Sequence, residues 1–264
     1  MLSIEEINLL IEKLEKAKAT DFENLLKTNI DDLKNIRDLI ERKDKETKKF
    51  ITKGAPFFRQ DLEEKNAFDR SEILYKTIKS KINHFAKTNM YNSLEIGPGN
   101  GHYNDIFFAW RKQFFLDILP ELEKKIRSKF NNLHQKYVKF FLTNDHHCNN
   151  VPANSCNFIF SWDTFVFFTE TQIDRYLASI HNVCIPGGYV MLQYANCHFD
   201  YDMEMAKKGY WEYNNKSLMI QLIEKNGYIM IELDQFKPGQ NYAIFKKPGK
   251  QNPVVYKVSE LELD

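Results

Sequence analysis

The chain has 264 residues, with 37 Lys and Arg side chains against 36 Asp and Glu side chains, for a formal net charge of +1. This length suits one large α/β domain with an appendage. The balanced charge gives no global preference for nucleic acid or an anionic membrane. The four cysteines form no C-x-x-C pair, which excludes the usual zinc-ribbon and thioredoxin-like sites and favours a reducing, cytoplasmic setting. The most apolar window, residues 158–168, is too short for membrane insertion.

The N-terminal part of the chain has a helical pattern. Apolar residues recur at helical spacing over residues 3–48, and capping-box sequences begin at Ser3 and Thr20. The apolar stripe of these helices could pack on the rest of the protein, form a homo-oligomer interface or cover an active site. We predict three segments: a helical extension with a lid or linker (1–69), a main domain (70–249) and a C-terminal tail (250–264).

After residue 70 the pattern changes to strands that alternate with helices. Strands are predicted over residues 93–96, 113–116, 138–142, 157–161, 189–194, 228–233 and 242–245. Helices are predicted over residues 70–86, from a capping box at Thr169 to about residue 183, and over residues 218–225. This alternation predicts an α/β fold with a doubly wound, mostly parallel sheet.

The turn after the first predicted strand is rich in glycine, with the sequence EIGPGNG at residues 95–101. In doubly wound sheets, ligands lie beyond the carboxyl ends of the strands, so this turn is the first candidate for a cofactor loop. Alternate glycines permit left-handed torsions and close approach of a ligand to the backbone. A dinucleotide loop would have its third glycine where this chain has His102, which disfavours dinucleotide binding.

An acidic residue, Asp117, ends the second predicted strand sixteen residues after Gly101. A carboxylate at this position can accept hydrogen bonds from both hydroxyl groups of a ribose. Glycine loop and carboxylate together predict a nucleoside-containing cofactor.

These motifs resemble those of class I S-adenosylmethionine-dependent methyltransferases. The segment LEIGPGNG at residues 94–101 is similar to motif I of that family, and FLDI at residues 115–118 is similar to its acidic second motif. The segment at residues 151–161 resembles the family's fourth-strand region, with Asn157 in place of the usual acid, and IPGGYV at residues 185–190 resembles the turn before strand five.

The resemblance implies a seven-stranded, Rossmann-like sheet with its last strand antiparallel, and S-adenosylmethionine as the cofactor, with S-adenosylhomocysteine as the product. The glycine loop would face the methionine and ribose parts, Asp117 the ribose hydroxyls and Ile118 the adenine ring. The cofactor-binding residues expected from the resemblance are Glu95, Gly97, Gly99, Gly101, Asp117, Ile118, Asp145, Ser161 and Trp162.

The end of the fourth strand carries the segment SWDTFVFF at residues 161–168, which resembles a substrate-side element of small-molecule methyltransferases. Phe167 stands where those proteins often have a histidine, so that base cannot be carried over. The remaining candidates for a catalytic base are His146, His147, Asp163 and His198. His198 could be oriented by Asp200, and no metal site is predicted.

The expected function is O-methylation of a small polar acceptor, such as a sugar, a nucleotide-linked intermediate or a phosphate-type group, in surface-polysaccharide synthesis. N-methylation of a small amine is a close alternative. Phosphate would require Arg or Lys contacts, and an amine would require carboxylates and aromatic rings. A methyltransferase-like scaffold without activity is the alternative of another class, motivated by Asn157 and Phe167. No nucleic-acid partner is expected, because neither a basic stripe nor an adenine-methylation motif is visible.

Overall fold

The computed structural model describes residues 71–86, 91–107 and 111–250, together with Asn8, Ile11, Glu12 and Lys34. The chain divides into two compact units, Met1–Arg59 and Gln60–Asp264. Apart from those four residues, the predicted N-terminal helices and the lid or linker lie outside the described residues, as does most of the C-terminal tail. The three-segment division and the oligomer interface therefore stay predictions.

One seven-stranded sheet organises the second unit. Its strands are β1 (Asn92–Ile96), β2 (Lys112–Asp117), β3 (Val138–Leu142), β4 (Cys156–Ser161), β5 (Cys184–Tyr194), β6 (Ile229–Gln235) and β7 (Asn241–Lys246). The strand order is β3-β2-β1-β4-β5-β7-β6. Neighbours from β3 to β5 are parallel, and β7 is antiparallel to both β5 and β6. The predicted doubly wound, mostly parallel sheet with an antiparallel last strand is confirmed.

Helices connect the strands. They are α1 (Glu72–Phe85), α2 (Glu121–Ser128), α3 (Asn132–Gln135), α4 (Glu170–Val183), α5 (Asp200–Lys207) and α6 (Lys216–Lys225). The predicted α1, α4 and α6 are present, and the capping box of α4 is formed, since Gln172 Oε1 accepts a hydrogen bond from the backbone N–H of Thr169 (2.8 Å). The sequence did not predict α2, α3 or α5, which are short and have few apolar residues. No helix among the described residues is long and apolar enough to cross a membrane.

The fifth strand begins earlier than predicted, at Cys184 instead of residue 189. The segment Pro186-Gly187-Gly188, predicted as a turn before the strand, lies inside it, where the β4–β5 pairing shifts register. A Cβ at Gly188 would lie 2.6 Å from Cys184 Sγ and 3.1 Å from the carbonyl oxygen of Asn157. Glycine therefore permits an irregular strand close to its neighbour.

Helix α1 packs on the sheet through one apolar face. Leu74, Ile78 and Ile82 are buried at helical spacing and join a cluster that includes Phe158 and Phe160 of β4. The opposite face is exposed, with Ile73 80% accessible. Burial of this apolar face holds α1 against the sheet at β4.

Truncation of α1 side chains tests this packing. Ile78 is 0% exposed, so Ile78→Ala leaves a cavity and is expected to lower the free energy of unfolding by about 2–4 kcal/mol. Ile73→Ala on the same helix is the matched control, with an expected change within about 0.5 kcal/mol. Chemical denaturation measures both, and equal effects would contradict the packing of α1.

Candidate active site

The candidate site lies where the order of the strands reverses. The chain proceeds outward from β1 to β2 and β3, then returns to place β4 on the other side of β1. In a parallel sheet the loops after β1 and β4 leave the same edge and open a crevice between them. The glycine-rich turn that follows β1 is therefore at the expected position for a ligand site.

All three glycines of this turn have left-handed torsions. The φ angles are +67° at Gly97, +51° at Gly99 and +68° at Gly101. An L side chain adopts this region at a cost of about 1–2 kcal/mol per residue. The spacing recognised in the sequence thus corresponds to a real backbone requirement.

Two of these glycines also lack space for a side chain. A Cβ at Gly97 would lie 2.1 Å from Thr164 Oγ1, and one at Gly101 would lie 2.3 Å from Asn104 Nδ2. Thr164 follows β4, so its contact joins the loops that leave β1 and β4. The glycine turn is packed tightly against the β4 side of the crevice.

Polar contacts hold the turn from both sides. Ser161 Oγ donates to the carbonyl oxygen of Ile96 (2.8 Å), and Lys129 Nζ, beyond α2, donates to that of Gly101 (2.9 Å). Ser161 was predicted to bind the cofactor, whereas Lys129 was not among the predicted site residues. No local sequence signal links Lys129 to the loop, because the two are 28 residues apart and meet only in the folded sheet.

Asp117 ends β2 beside the same turn and is only 5% exposed. Its Oδ1 accepts hydrogen bonds from the backbone N–H groups of Ile118 (2.7 Å) and Leu119 (3.0 Å). Its Oδ2 is buried and has no hydrogen-bond partner among the described residues. Burial raises the pKa of Asp117 to about 6, although the backbone amides, including that of Gly99, act to lower it. This carboxylate has an acceptor oxygen available to a ligand.

Glu95 and Ile118 border this half of the site. Glu95 lies within β1 and is 3% exposed, and Ile118 directly follows Asp117 and is partly buried. The structure thus brings Glu95, the glycine turn, Asp117 and Ile118 to adjacent strand ends, the arrangement that the sequence predicted for them.

Asp145, His146 and His147 follow β3 at the edge of the sheet. Asp145 is exposed, and its Oδ1 accepts from the backbone of His146 (2.7 Å) and lies 3.1 Å from His146 Nδ1. The backbone hydrogen bond from His146 is the largest cause that lowers the pKa of Asp145. His147 Nδ1 accepts from the backbone of Asn149 (3.3 Å). Asp145 thus contacts its sequence neighbour.

His146 is buried, and its ring meets Phe168 and Tyr176 edge-on at centroid distances of 5.2 and 5.9 Å. Burial is the main cause that lowers its pKa, since the charged imidazolium loses its hydration. This ring is a packing element between the segment after β3 and residues that follow β4.

The end of β4 carries Trp162 and Asp163 with different surroundings. Trp162 is buried in the same cluster as α1, with its ring stacked on Phe160 and Phe236 at 6.2 and 5.8 Å. Asp163 is 7% exposed and has a φ angle of +55°, unusual for a residue other than glycine. Its backbone N–H donates to Gln193 Oε1 of β5 (2.5 Å). A buried carboxylate in this conformation at a strand end is a candidate functional group.

The predicted pair of His198 and Asp200 is not formed. Both residues are exposed, no hydrogen bond joins them, and Asp200 begins α5. The buried carboxylate of this segment is Asp202, which was not among the predicted site residues. Its Oδ2 accepts from the backbone N–H of Asn196 (2.6 Å) and from Asn241 Nδ2 (2.7 Å). Nothing local in the sequence distinguishes Asp202 from Asp200, because Asn241 is 39 residues away.

Histidine, cysteine, aspartate and glutamate side chains do not gather in groups of three or more suited to a metal within the described part of the chain. Glu95 and Asp117 border the β1–β2 half of the crevice, and Asp163 lies at its β4 side.

Alanine substitution at two glycines separates torsional strain from steric overlap. Gly227→Ala meets no atom closer than 3.9 Å at a φ of +77°, so we expect only the strain, about 1–2 kcal/mol. Gly97→Ala adds the overlap with Thr164 and is expected to destabilise the protein by more. Thr164→Ala in the Gly97→Ala background should recover part of that difference in denaturation experiments. Equal losses in the two single variants would exclude tight packing at Gly97.

The chain matches a family described as a methyltransferase domain over residues 45–233, which is more than half of its length. No curated protein matches it. Its fold is shared with a geranyl diphosphate methyltransferase solved with SAM (TM-score 0.55, 7% identity, 67% of this chain and 85% of that chain). It is also shared with SAM-dependent methyltransferases from Methanosarcina mazei (TM-score 0.51, 14% identity, 64% and 98% coverage) and Mesorhizobium loti (TM-score 0.52, 10% identity, 64% and 96% coverage). With its glycine turn and strand-end carboxylates at the crevice, this chain belongs to the methyltransferase-domain family.

Proposed function

We propose that this protein transfers a methyl group from S-adenosylmethionine to an oxygen of a small polar acceptor. The observation that carries the cofactor assignment is the buried carboxylate of Asp117 beside the glycine turn, with Oδ2 unpartnered among the described residues. A desolvated carboxylate is costly unless a ligand supplies hydrogen-bond donors. The two hydroxyl groups of a ribose would supply them.

We assign the remaining cofactor contacts to residues in or just after the neighbouring strands. Glu95 orients the glycine turn or binds the amino group of the cofactor, and Ile118 packs on adenine. We assign Asp145 to the adenine amino group, and Ser161 supports the turn through its hydrogen bond to Ile96 (2.8 Å). Trp162 bounds the β4 side from within the apolar cluster.

The cofactor supplies a methyl group already activated on a sulfonium sulfur. The residues of this chain therefore have to align the acceptor and exclude water, and a base is needed only where the acceptor loses a proton. We assign that role to Asp163, because it is buried at the end of β4, next to the residue that contacts Gly97. The His146 ring is packed against Phe168 and Tyr176, so we rank it below Asp163. His147 Nδ1 already accepts a hydrogen bond from Asn149, and His198 is exposed, so both also rank below Asp163.

The two departures from the family pattern have structural roles. Asn157 Oδ1 accepts a hydrogen bond from the backbone N–H of Asn92 (2.9 Å), which fixes the start of β1 beside β4. Phe167 is 5% exposed and belongs to the core. Neither substitution removes a group from the glycine turn, which favours an enzyme over a scaffold.

We propose that the reaction belongs to surface-polysaccharide synthesis in the cytoplasm. N-methylation of a small amine is the alternative reaction.

The ribose assignment predicts a specific dependence of cofactor affinity on pH. Ribose hydroxyls donate to the ionised form of Asp117, whose pKa is about 6. Affinity should therefore rise with pH up to about 6 and level off above it, falling by up to about tenfold per pH unit below it. The probe is 5′-methylthioadenosine, which keeps the nucleoside and lacks the amino-acid group. Calorimetry at pH 5 to 7.5 measures the affinity.

Asp117→Ala is the matched variant. We expect it to weaken nucleoside binding by about 1.5–3 kcal/mol at neutral pH, the scale of hydrogen bonds to a charged group, and to abolish the pH dependence. A folded variant with unchanged affinity would refute the ribose assignment. Absence of S-adenosylmethionine binding to the wild-type protein would instead favour the scaffold.

Asp163→Asn tests the proposed base. Asparagine tolerates the left-handed backbone at this position, so the fold should be preserved. For a hydroxyl acceptor found by screening for released S-adenosylhomocysteine, we expect kcat to fall by about 10²–10⁴, with cofactor affinity unchanged. His198→Gln serves as the comparison at an exposed candidate. A larger loss in His198→Gln would move the base role to that residue.

A further inference from the structure

Three buried polar side chains cluster where β5 ends and β7 begins. Asp202 is 0% exposed, Asn196 is 4% exposed and Asn241 is 1% exposed. Because β7 runs antiparallel to β5, with Asn241 opposite Tyr194, its first residue lies at the carboxyl end of β5. The cluster is therefore at the same edge of the sheet as the glycine turn, displaced from it toward β5.

Hydrogen bonds connect this cluster to the end of β4. Gln193 of β5 accepts from the backbone N–H of Asp163 (2.5 Å) through Oε1 and donates to the carbonyl oxygen of Gly239 (2.9 Å) through Nε2. The backbone amide of Gly239 in turn lies near Asp202 and acts to lower its pKa. Gln193 thus links the backbone of Asp163 to Gly239, whose own amide lies near Asp202.

Two acceptor oxygens in this cluster lack a hydrogen-bond donor among the described residues. Asp202 Oδ2 is occupied by the donors of Asn196 and Asn241, but Asp202 Oδ1 and Asn196 Oδ1 are buried without a hydrogen-bond partner among the described residues. Each such atom costs about 1–3 kcal/mol or more unless a donor reaches it. A ligand for this cluster must therefore bring hydrogen-bond donors.

Charge narrows the choice of ligand. Within the described chain, no Lys, Arg or His side chain forms an ion pair with Asp202. A neutral hydroxyl group would donate one hydrogen bond and leave the negative charge uncompensated, whereas an ammonium group has three N–H donors and a positive charge.

Aromatic rings border the same place. The rings of Tyr201 and Trp211 meet edge-on at 5.7 Å, and a Cβ at Gly239 would lie 2.5 Å from Tyr201 and 3.3 Å from Trp211. Aromatic faces attract cations, so rings beside Gly239, whose amide lies near Asp202, suit an ammonium ligand.

We propose that Asp202 and Asn196 form a subsite for a protonated amino group of the methyl acceptor, an inference that rests on the proposed methyl transfer. An ammonium nitrogen has no lone pair, so the methylated atom is another one, an oxygen of the same molecule. The acceptor class is an amine-bearing polar compound, such as an amino sugar. The proposed base lies on one side of Gln193 and the subsite on the other.

The subsite can be tested without knowledge of the acceptor. The full-length, ¹⁵N-labelled protein is titrated with ethylammonium chloride, and the side-chain amide signals of Asn196 and Asn241 are followed by NMR. We expect saturable shifts with ethylammonium, and none with ethanol or sodium chloride at the same concentrations. The absence of a saturable shift, or an equal response to ethanol, overturns the subsite.

Asp202→Asn is the sharpest variant, because its carbonyl oxygen can keep both existing donors while an amide NH₂ replaces the free oxygen. We expect ethylammonium affinity to fall at least about tenfold, the scale of a lost charged hydrogen bond. Asp200→Asn, at an exposed carboxylate of the same helix, should leave the affinity unchanged.

Asn196→Ala covers the case in which Asp202→Asn does not fold. It removes the carboxamide that carries the second free oxygen and keeps the donor to Asp202, since that N–H belongs to the backbone. Unchanged affinity in every folded variant of these two residues overturns the proposal. Calorimetry with S-adenosylhomocysteine separates the two hypotheses: cofactor binding without an amine response rejects only the subsite, and absent cofactor binding rejects the proposed function.

Discussion

The close packing of Gly97 against Thr164 is the constraint on which the site depends. A Cβ at Gly97 would lie 2.1 Å from the threonine hydroxyl, so the turn after β1 can approach the segment after β4 only with glycine. This contact exists because β4 returns to the opposite side of β1 from β2. The reversal of strand order thus creates the crevice. The absence of a Cβ at Gly97 lets the segment after β1 contact the segment after β4 at the bottom of this crevice.

Two buried carboxylates lie on opposite sides of this crevice. Asp117 ends β2, and Asp202 lies next to the end of β5; burial is the main cause that raises the pKa of each. Each has one oxygen without a partner among the described residues. Desolvation makes both carboxylates unfavourable alone and receptive to donors. We assign the Asp117 side to the cofactor and the Asp202 side to the acceptor.

Residues defined by their local sequence were predicted well, and those defined by distant contacts were not. The glycine turn, Asp117 and helix α4 with its capping box each depend on neighbours within a few residues. The short helix α5 was missed, and with it the distinction between Asp200 and Asp202. That distinction arises when Asn241, the first residue of β7, folds against β5.

The sequence by itself determined the doubly wound sheet and the position of the glycine turn, because periodicity and glycine spacing act over a few residues. It also placed Asp117 at a strand end. Only the tertiary structure decided that Asp163 adopts a left-handed conformation beside β5, that His146 packs in an aromatic cluster and that Asp202 is the buried carboxylate near β7. These properties depend on desolvation and on contacts between residues far apart in the chain, which no local pattern encodes.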